Sequence, residues 1–109
     1  MTAPTDDIEG QQQGPTIDRL VHEPARLLIM SYLYVVESAD FVFLMRQTGL
    51  TWGNLSSHLT KLEEARYVEI IKGFRGRKPH TMLRLTEKGR EAFGEYRRSM
   101  QQVLGEMPG

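Results

Sequence analysis

The chain has 109 residues, of which 39% are hydrophobic and 26% are charged, with 14 basic and 14 acidic side chains. A chain of this size is expected to form one globular domain, which argues against a two-domain enzyme with a deep substrate cavity. Cysteine is absent, which excludes disulfides, thiolate metal sites and cysteine nucleophiles. The longest aliphatic run has four residues, far short of a membrane span, and no secretory signal is visible, so a cytoplasmic protein without membrane contact is expected.

Charge is balanced overall but unevenly placed along the chain. Residues 1–40 hold two basic and seven acidic side chains, whereas residues 72–90 hold seven basic side chains and one acidic side chain. A charge run usually means a solvated surface, but the charge of this segment alone supports a surface that meets anions equally well.

The predicted elements begin with a tail and a long helix. Residues 1–15 are rich in Gly, Pro and Gln, which predicts a flexible N-terminal tail and leaves residues 16–109 for the folded domain. Pro24 suits a first helical turn, and the apolar stretch after it predicts a helix that ends at Val36. Because apolar residues surround most of this helix, its own domain or another subunit must cover it on several sides. A polar break is expected at residues 38–40.

Two further helices flank a glycine turn. Asp40 can cap a helix at residues 41–48, which Gly49 closes. Thr51 can cap a helix at residues 52–65. The leucines of this helix recur at spacings of four and three and form one apolar stripe: Leu55, Leu59 and Leu62. A short helix, a tight turn and a longer helix are typical of a helix-turn-helix.

A hairpin and a last helix complete the predicted order. Runs of β-branched and aromatic residues at 68–74 and 80–85 predict a two-stranded hairpin with a basic tip. Thr86 can cap a final helix, whose apolar residues form a seam too short for a free-standing coiled coil and therefore in need of a partner surface. The expected dimerisation residues are Leu28, Leu33, Phe93, Tyr96, Met100, Val103 and Leu104.

This order of elements is that of a winged helix-turn-helix. From about Asp18 to Arg98 the chain resembles the MarR-like and ArsR-like winged-helix regulators of bacteria and archaea, above all in the segments QTGLTWGNLSSHLTKLEEARYVEI and FRGRKPHTMLRLTEKGREAF. The resemblance implies a mainly α (α+β) fold with a two-stranded β-hairpin wing and a C-terminal dimerisation helix. It also implies a sequence-specific regulator that binds double-stranded DNA. The apolar surface of the first and last helices exceeds what one small domain can cover, which predicts that this regulator acts as a homodimer. Arg66 stands where such relatives usually have glycine, and the metal-sensing cysteines of many ArsR-like proteins are absent.

The helix at residues 52–65 is the candidate recognition helix. Opposite its leucines it carries small or polar residues. Asn54 can pair with base edges, Ser57 and Thr60 can bond bases or phosphates, and Lys61 can reach a phosphate, while Gly53 suggests a close approach of the helix backbone. As in winged-helix relatives, the hairpin tip at residues 73–80 is expected on the backbone and minor groove, with Arg77 in the groove. The expected DNA-binding residues are Thr51, Trp52, Gly53, Asn54, Ser57, Thr60, Lys61, Arg75, Arg77 and Lys78.

Neither an enzyme nor a cofactor or metal is expected. The three histidines are scattered, and no HExxH, GxSxG or P-loop motif occurs. Two alternatives stay open. One is a winged-helix module that binds protein through Trp52 and the wing without binding DNA. The other is a regulator that also senses a small apolar ligand between the first and last helices, in a cleft lined by Tyr32, Tyr34, Phe93, Tyr96 and methionines.

The sequence leaves two side-chain orientations undecided. Trp52 either faces DNA or packs against the preceding helix. Arg84, in the second strand, points either to DNA or across the hairpin to Glu69.

Overall fold

The computed structural model describes residues 17–105. The predicted N-terminal tail, residues 1–15, lies outside this range. The described chain contains the helices α1 (Pro24–Val36), α2 (Phe41–Thr48), α3 (Trp52–Glu64) and α4 (Glu87–Gly105), and the strands β1 (Ser38–Asp40), β2 (Val68–Arg75) and β3 (Lys78–Leu85). This mainly helical fold with a β-hairpin wing confirms the fold predicted from the sequence. Among residues 17–105, no helix combines the length and the apolar character that a bilayer crossing needs.

The ends of the two central helices are set by the capping residues that the sequence predicts. The carboxylate of Asp40 accepts the backbone N–H of Phe43 at 2.6 Å and begins α2. The hydroxyl of Thr51 accepts the backbone N–H of Asn54 at 3.1 Å and begins α3. Gly49 closes α2 with a left-handed φ of 74°, which glycine adopts without steric cost. Local chemistry therefore explains the helix-turn-helix geometry.

The sheet contains one more strand than the sequence predicted. Residues 38–40, expected as a polar break, form β1, which pairs antiparallel with β3 and gives the order β1-β3-β2. A three-residue segment is too short to show the alternation by which a strand is recognised. Residues 38–40 form a strand because the open edge of β3 offers them unpaired backbone groups. The wing is therefore joined to the chain just before α2.

The hairpin is also longer than predicted. The expected strands at 68–74 and 80–85 leave a five-residue loop, whereas Arg75 pairs with Lys78 in the structure and only Gly76 and Arg77 form the turn. Gly76 has a φ of 65°, the positive value that a tight hairpin turn requires at its first central position. Of the three cations at the tip, Arg75 and Lys78 consequently belong to the paired strands, and only Arg77 lies in the turn.

All four helices and the sheet share one hydrophobic core. The leucine stripe of α3 is buried in it, as its spacing predicts. The other fully buried large side chains come from α1, α2 and the sheet, together with the segment before α1: Val21, Ile29, Met30, Leu33, Leu44, Val68 and Leu83. Burying each such side chain contributes about 1.5–3 kcal/mol, so the core holds α3 firmly with its opposite face outward.

Three of the seven expected dimerisation residues lie in the core of the chain's own fold. Leu33 is 0% exposed, and Phe93 and Tyr96 are each 7% exposed, which leaves almost no side-chain surface for a second subunit. The ring of Phe93 packs on Tyr34 with 5.1 Å between centroids, and the hydroxyl of Tyr96 lies 2.7 Å from Nδ1 of His22. Helix α4 thus covers α1 within one subunit. The remaining four residues keep accessible surface: Leu28, Met100, Val103 and Leu104.

Candidate nucleic-acid interface

Helix α3 divides its side chains between the core and the surface. The seven residues expected to contact DNA at this helix are all exposed: Thr51, Trp52, Gly53, Asn54, Ser57, Thr60 and Lys61. A Cβ at Gly53 would meet nothing within 4 Å, so the protein's own fold does not require glycine there. Because glycine in a helix costs about 1 kcal/mol relative to alanine, its presence leaves the helix backbone unusually open to an outside surface.

The structure defines the orientation of the Trp52 side chain. Its ring packs on Phe41, the first residue of α2, with 4.4 Å between ring centroids and an angle of 47° between the planes. The same side chain is nevertheless 63% exposed. Trp52 therefore packs against the preceding helix with part of its ring and presents the rest beside the N-terminus of α3.

A cleft of about 410 Å³ separates α3 from the wing. Its lining combines aromatic and aliphatic side chains with hydroxyls and one ammonium group: Phe41, Trp52, Ser56, Leu59, Thr60, Ile70, Lys72, Thr81 and Leu83. The sequence analysis includes Lys72 in the basic segment but not among the expected DNA-binding residues. Lys72 lies two residues after Ile70 in β2, and because alternate residues of a strand share a face, this spacing could have placed it beside α3.

The three cations at the tip of the wing do not share one face. Arg75 lines a different cavity, together with Asp40, Phe43 and Met82. Lys78 is the cross-strand partner of Arg75, and paired residues lie on the same face of a hairpin. Arg77 occupies the turn itself. All three cations are exposed, but two of them point away from the cleft beside α3.

Two side-chain contacts involve strand β3 of the wing. Nε2 of His80 on β3 lies 3.5 Å from the carboxylate of Asp40, which also caps α2. The hydrogen bond from the backbone N–H of Phe43, with a smaller contribution from His80, holds the pKa of Asp40 below its usual value against the opposing effect of burial. Arg84 contacts Glu69 across the hairpin, which decides its orientation. In the part of the chain that the structure describes, no group of three or more His, Asp or Glu side chains is placed to hold a metal ion.

Three of the four aromatic residues considered for an apolar ligand make ring contacts within the fold. Tyr34 and Phe93 pack on each other between α1 and α4. Tyr96 borders a cavity of about 290 Å³, but Asp18 and Glu95 are part of its lining. Two carboxyl groups make this cavity a poor match for an apolar molecule.

Comparison with known proteins identifies the family to which this fold belongs. Residues 25–104 match the family model of the winged helix DNA-binding domain. An uncharacterized protein of Methanocaldococcus jannaschii is 37% identical over 78 residues, which cover 72% of this chain and 85% of that protein.

Two solved structures are similar to the chain. The transcriptional regulator homologue protein from Pyrococcus horikoshii OT3 aligns with a TM-score of 0.77 and 27% identity, over 93% of this chain and 96% of that one. The transcriptional regulator BldR from Sulfolobus solfataricus aligns with a TM-score of 0.62 and 24% identity, over 82% of this chain and 66% of that one, and shares the fold. The chain therefore belongs to the winged helix DNA-binding domain family, a family of DNA-binding regulators.

Proposed function

We propose that the protein is a sequence-specific transcriptional regulator that binds double-stranded DNA as a homodimer, with α3 in the major groove and the wing on the adjacent backbone and minor groove. The division of α3 carries this proposal. Its leucine stripe is buried, its polar face is exposed, and the basic wing stands beside that face across the cleft. A surface that combines hydrogen-bonding side chains with flanking cations suits bases and phosphates together.

The polar face of α3 provides the chemistry of base recognition. The side-chain amide of Asn54 can make two hydrogen bonds to an adenine edge, and one such bidentate pair discriminates by about 1–3 kcal/mol against the wrong base. Ser57 can bond a base or a phosphate, and Lys61 reaches a phosphate. The missing side chain at Gly53 lets the first turn of α3 approach the DNA closely.

The wing provides contacts to the phosphates and the minor groove. Arg77 sits in the two-residue turn and is placed to enter the groove, where a narrow minor groove attracts arginine. Arg75 and Lys78 lie one on each strand beside it and suit the phosphates along the groove. Lys72 adds a cation on the side that faces α3. Each phosphate contact releases counterions and steepens the salt dependence of binding.

The proposed dimer rests on apolar surface that one subunit leaves open. Leu28 and Val35 of α1 and Leu104 of α4 are exposed, and residues 97–105 of α4 contain no buried side chain. This half of α4 is about 14 Å long and carries the remaining seam residues Met100 and Val103. A second copy related by a two-fold axis would cover it. Such pairing places the two α3 helices about 34 Å apart, in successive major grooves.

The DNA-binding proposal is tested by fluorescence anisotropy of labelled genomic-fragment duplexes at several salt concentrations. The variant Arg77→Ala/Lys78→Ala is compared with the charge-matched control Arg19→Ala/Lys88→Ala, which removes two exposed cations outside α3, the wing and residues 97–105 of α4. We expect the wing variant to weaken binding and to reduce the salt slope by about 1 for each phosphate that the variant no longer neutralises, while the control leaves the slope unchanged. No duplex binding by the wild type at low salt would refute the proposal and would favour the protein-binding alternative.

The dimer is tested separately by sedimentation velocity at micromolar concentration. We expect a dimer for the wild type and a shift toward monomer for Leu104→Glu, because a carboxylate would be buried against the partner. The control Ile71→Glu places the same charge on an exposed residue of the wing and should leave the dimer intact. A wild type that sediments only as monomer would overturn this part of the proposal.

A further inference from the structure

An aromatic side chain stands exposed among the cations of the wing. Phe74 is 74% exposed, although it lies in β2 between Lys72 and the turn that contains Arg77. Residues 70–86 contain no acidic side chain, and the basic residues of this segment flank Phe74 along the hairpin: Lys72, Arg75, Arg77, Lys78 and Arg84. An apolar ring in this position contributes nothing to the core, and a hairpin tip needs no aromatic residue for its turn.

Strand geometry places the ring on the side of the wing that faces α3. Ile70 and Lys72 line the cleft beside α3, and Phe74 follows at the same spacing of two, so it shares their face. Its cross-strand partner is Pro79, which extends the apolar surface. Arg75 lies on the opposite face. The wing is thus apolar at its tip toward α3 and cationic at its turn and on its outer face.

We propose that Phe74 is an apolar wedge that enters the minor groove beside the site read by α3, packs on sugars and a base step, and bends the duplex. This inference rests on the proposed DNA-binding function. The occupant must be apolar where it meets Phe74 and anionic where it meets the cations at positions 72, 75, 77 and 78. A minor groove has this pattern, with sugars and stacked bases between two rows of phosphates. Apolar wedges that partly unstack a base step bend DNA by about 20–90°.

A wedge and a phosphate contact leave different signatures. Removing a phosphate contact reduces the salt slope because fewer counterions are released. Removing a wedge weakens binding while the salt slope stays the same. The side chain is exposed, so Phe74→Ala leaves the protein's own packing almost unchanged, and weaker binding reports the interface and not unfolding.

The experiment uses a labelled duplex selected from a random library by the wild-type protein, with 2-aminopurine at successive positions beside the selected site. Affinity at several salt concentrations, 2-aminopurine emission and energy transfer between dyes at the duplex ends are measured together. The variants are Phe74→Ala, Phe74→Leu and the control Ile71→Ala, an exposed apolar residue on the opposite face of the same strand.

For Phe74→Ala we expect affinity to fall about tenfold with an unchanged salt slope, the order expected for one stacked ring. The emission increase and the change in energy transfer seen with the wild type should disappear, Phe74→Leu should retain part of both, and Ile71→Ala should retain all of both. Wild-type affinity and bending in Phe74→Ala, or a reduced salt slope, would overturn the wedge. If the library yields no bound duplex, the proposed function itself fails, and this outcome is separate because it precedes any variant.

Discussion

A single methyl group at Gly89, in the first turn of α4, should destabilise the whole domain. A Cβ at this position would lie 2.1 Å from the carbonyl oxygen of Tyr67 and 2.9 Å from its carbonyl carbon, whereas real Cβ atoms essentially never come within 3.0 Å of such atoms. The obstacle is backbone, and the same oxygen accepts the N–H of Thr86 at 3.0 Å, so it cannot rotate away. Gly89→Ala therefore forces α4 away from the connection between α3 and β2 by about 1 Å.

The size of the effect follows from three contributions. Overpacking a well-packed site costs about 1–3 kcal/mol. Weakening the hydrogen bond between Thr86 and Tyr67 costs about 1 kcal/mol more. Replacing glycine by alanine in a helix returns up to about 1 kcal/mol. The free energy of unfolding of Gly89→Ala should thus fall by about 1–3 kcal/mol, and a loss of 2 kcal/mol lowers the Tm of a domain this size by roughly 8–16 °C.

The assay is thermal and urea unfolding followed by circular dichroism at fixed protein concentration. Gly94→Ala in the same helix is the matched control. The nearest atom to its added Cβ is Nη1 of Arg98 at 3.6 Å, an ordinary contact at the end of a flexible side chain. This control should be more stable than the wild type by up to about 1 kcal/mol. Equal stability of the two alanine variants would refute the close approach of α4 to Tyr67.

Three further substitutions test local features of the fold. Arg66 has a left-handed φ of 66°, a strained backbone conformation for a residue other than glycine, so Arg66→Gly should raise the free energy of unfolding by about 0.5–1 kcal/mol in urea titrations. Burial, and then the hydrogen bond to Asp18, raise the pKa of Tyr67 to about 12. Because an unfolded tyrosine ionises near pH 10, stability should fall as the pH rises from about 10 to 12, and the urea midpoint of Tyr67→Phe should fall less. Asp40→Ala removes the cap on Phe43 and should cost about 1 kcal/mol at neutral pH. Since the pKa of Asp40 is lowered by folding, its contribution is present above the unfolded pKa and is lost on acidification, so variant and wild type should converge in urea titrations at low pH.

The helices were predictable because their signals are local. The bounds predicted for α2 agree with the structure, and its cap at Asp40 and its closing glycine are visible as residue types at fixed offsets. The leucine spacing of α3 predicted both its buried stripe and its exposed face. Everything about the interface that depends on helical period was therefore accessible from the sequence.

The features that the sequence missed depend on contacts between distant residues. Strand β1 exists because β3 offers it an edge, and nothing in three residues reveals that edge. The apolar seam of α4 has the same spacing whether its partner is another subunit or α1, and Phe93 turned out to pack on α1. The faces of the wing follow from its register. The turn at Gly76 and Arg77 sets that register, in which Lys72 and Phe74 lie on the face toward α3 and Arg75 lies on the opposite face.

Asp40 explains how the spacing between the wing and α3, the two parts of the proposed DNA-binding surface, is fixed by the fold. It is the last residue of β1, its carboxylate caps α2, and the same carboxylate lies beside His80 on β3. Phe41 follows directly and supports the exposed ring of Trp52 at the start of α3. A shift of the wing would therefore disturb the β1 pairing, the cap and the aromatic contact together. Because these contacts are packed and hydrogen-bonded, the fold itself sets the spacing between the wing and α3, so the proposed DNA-binding mode would spend little binding energy on positioning them.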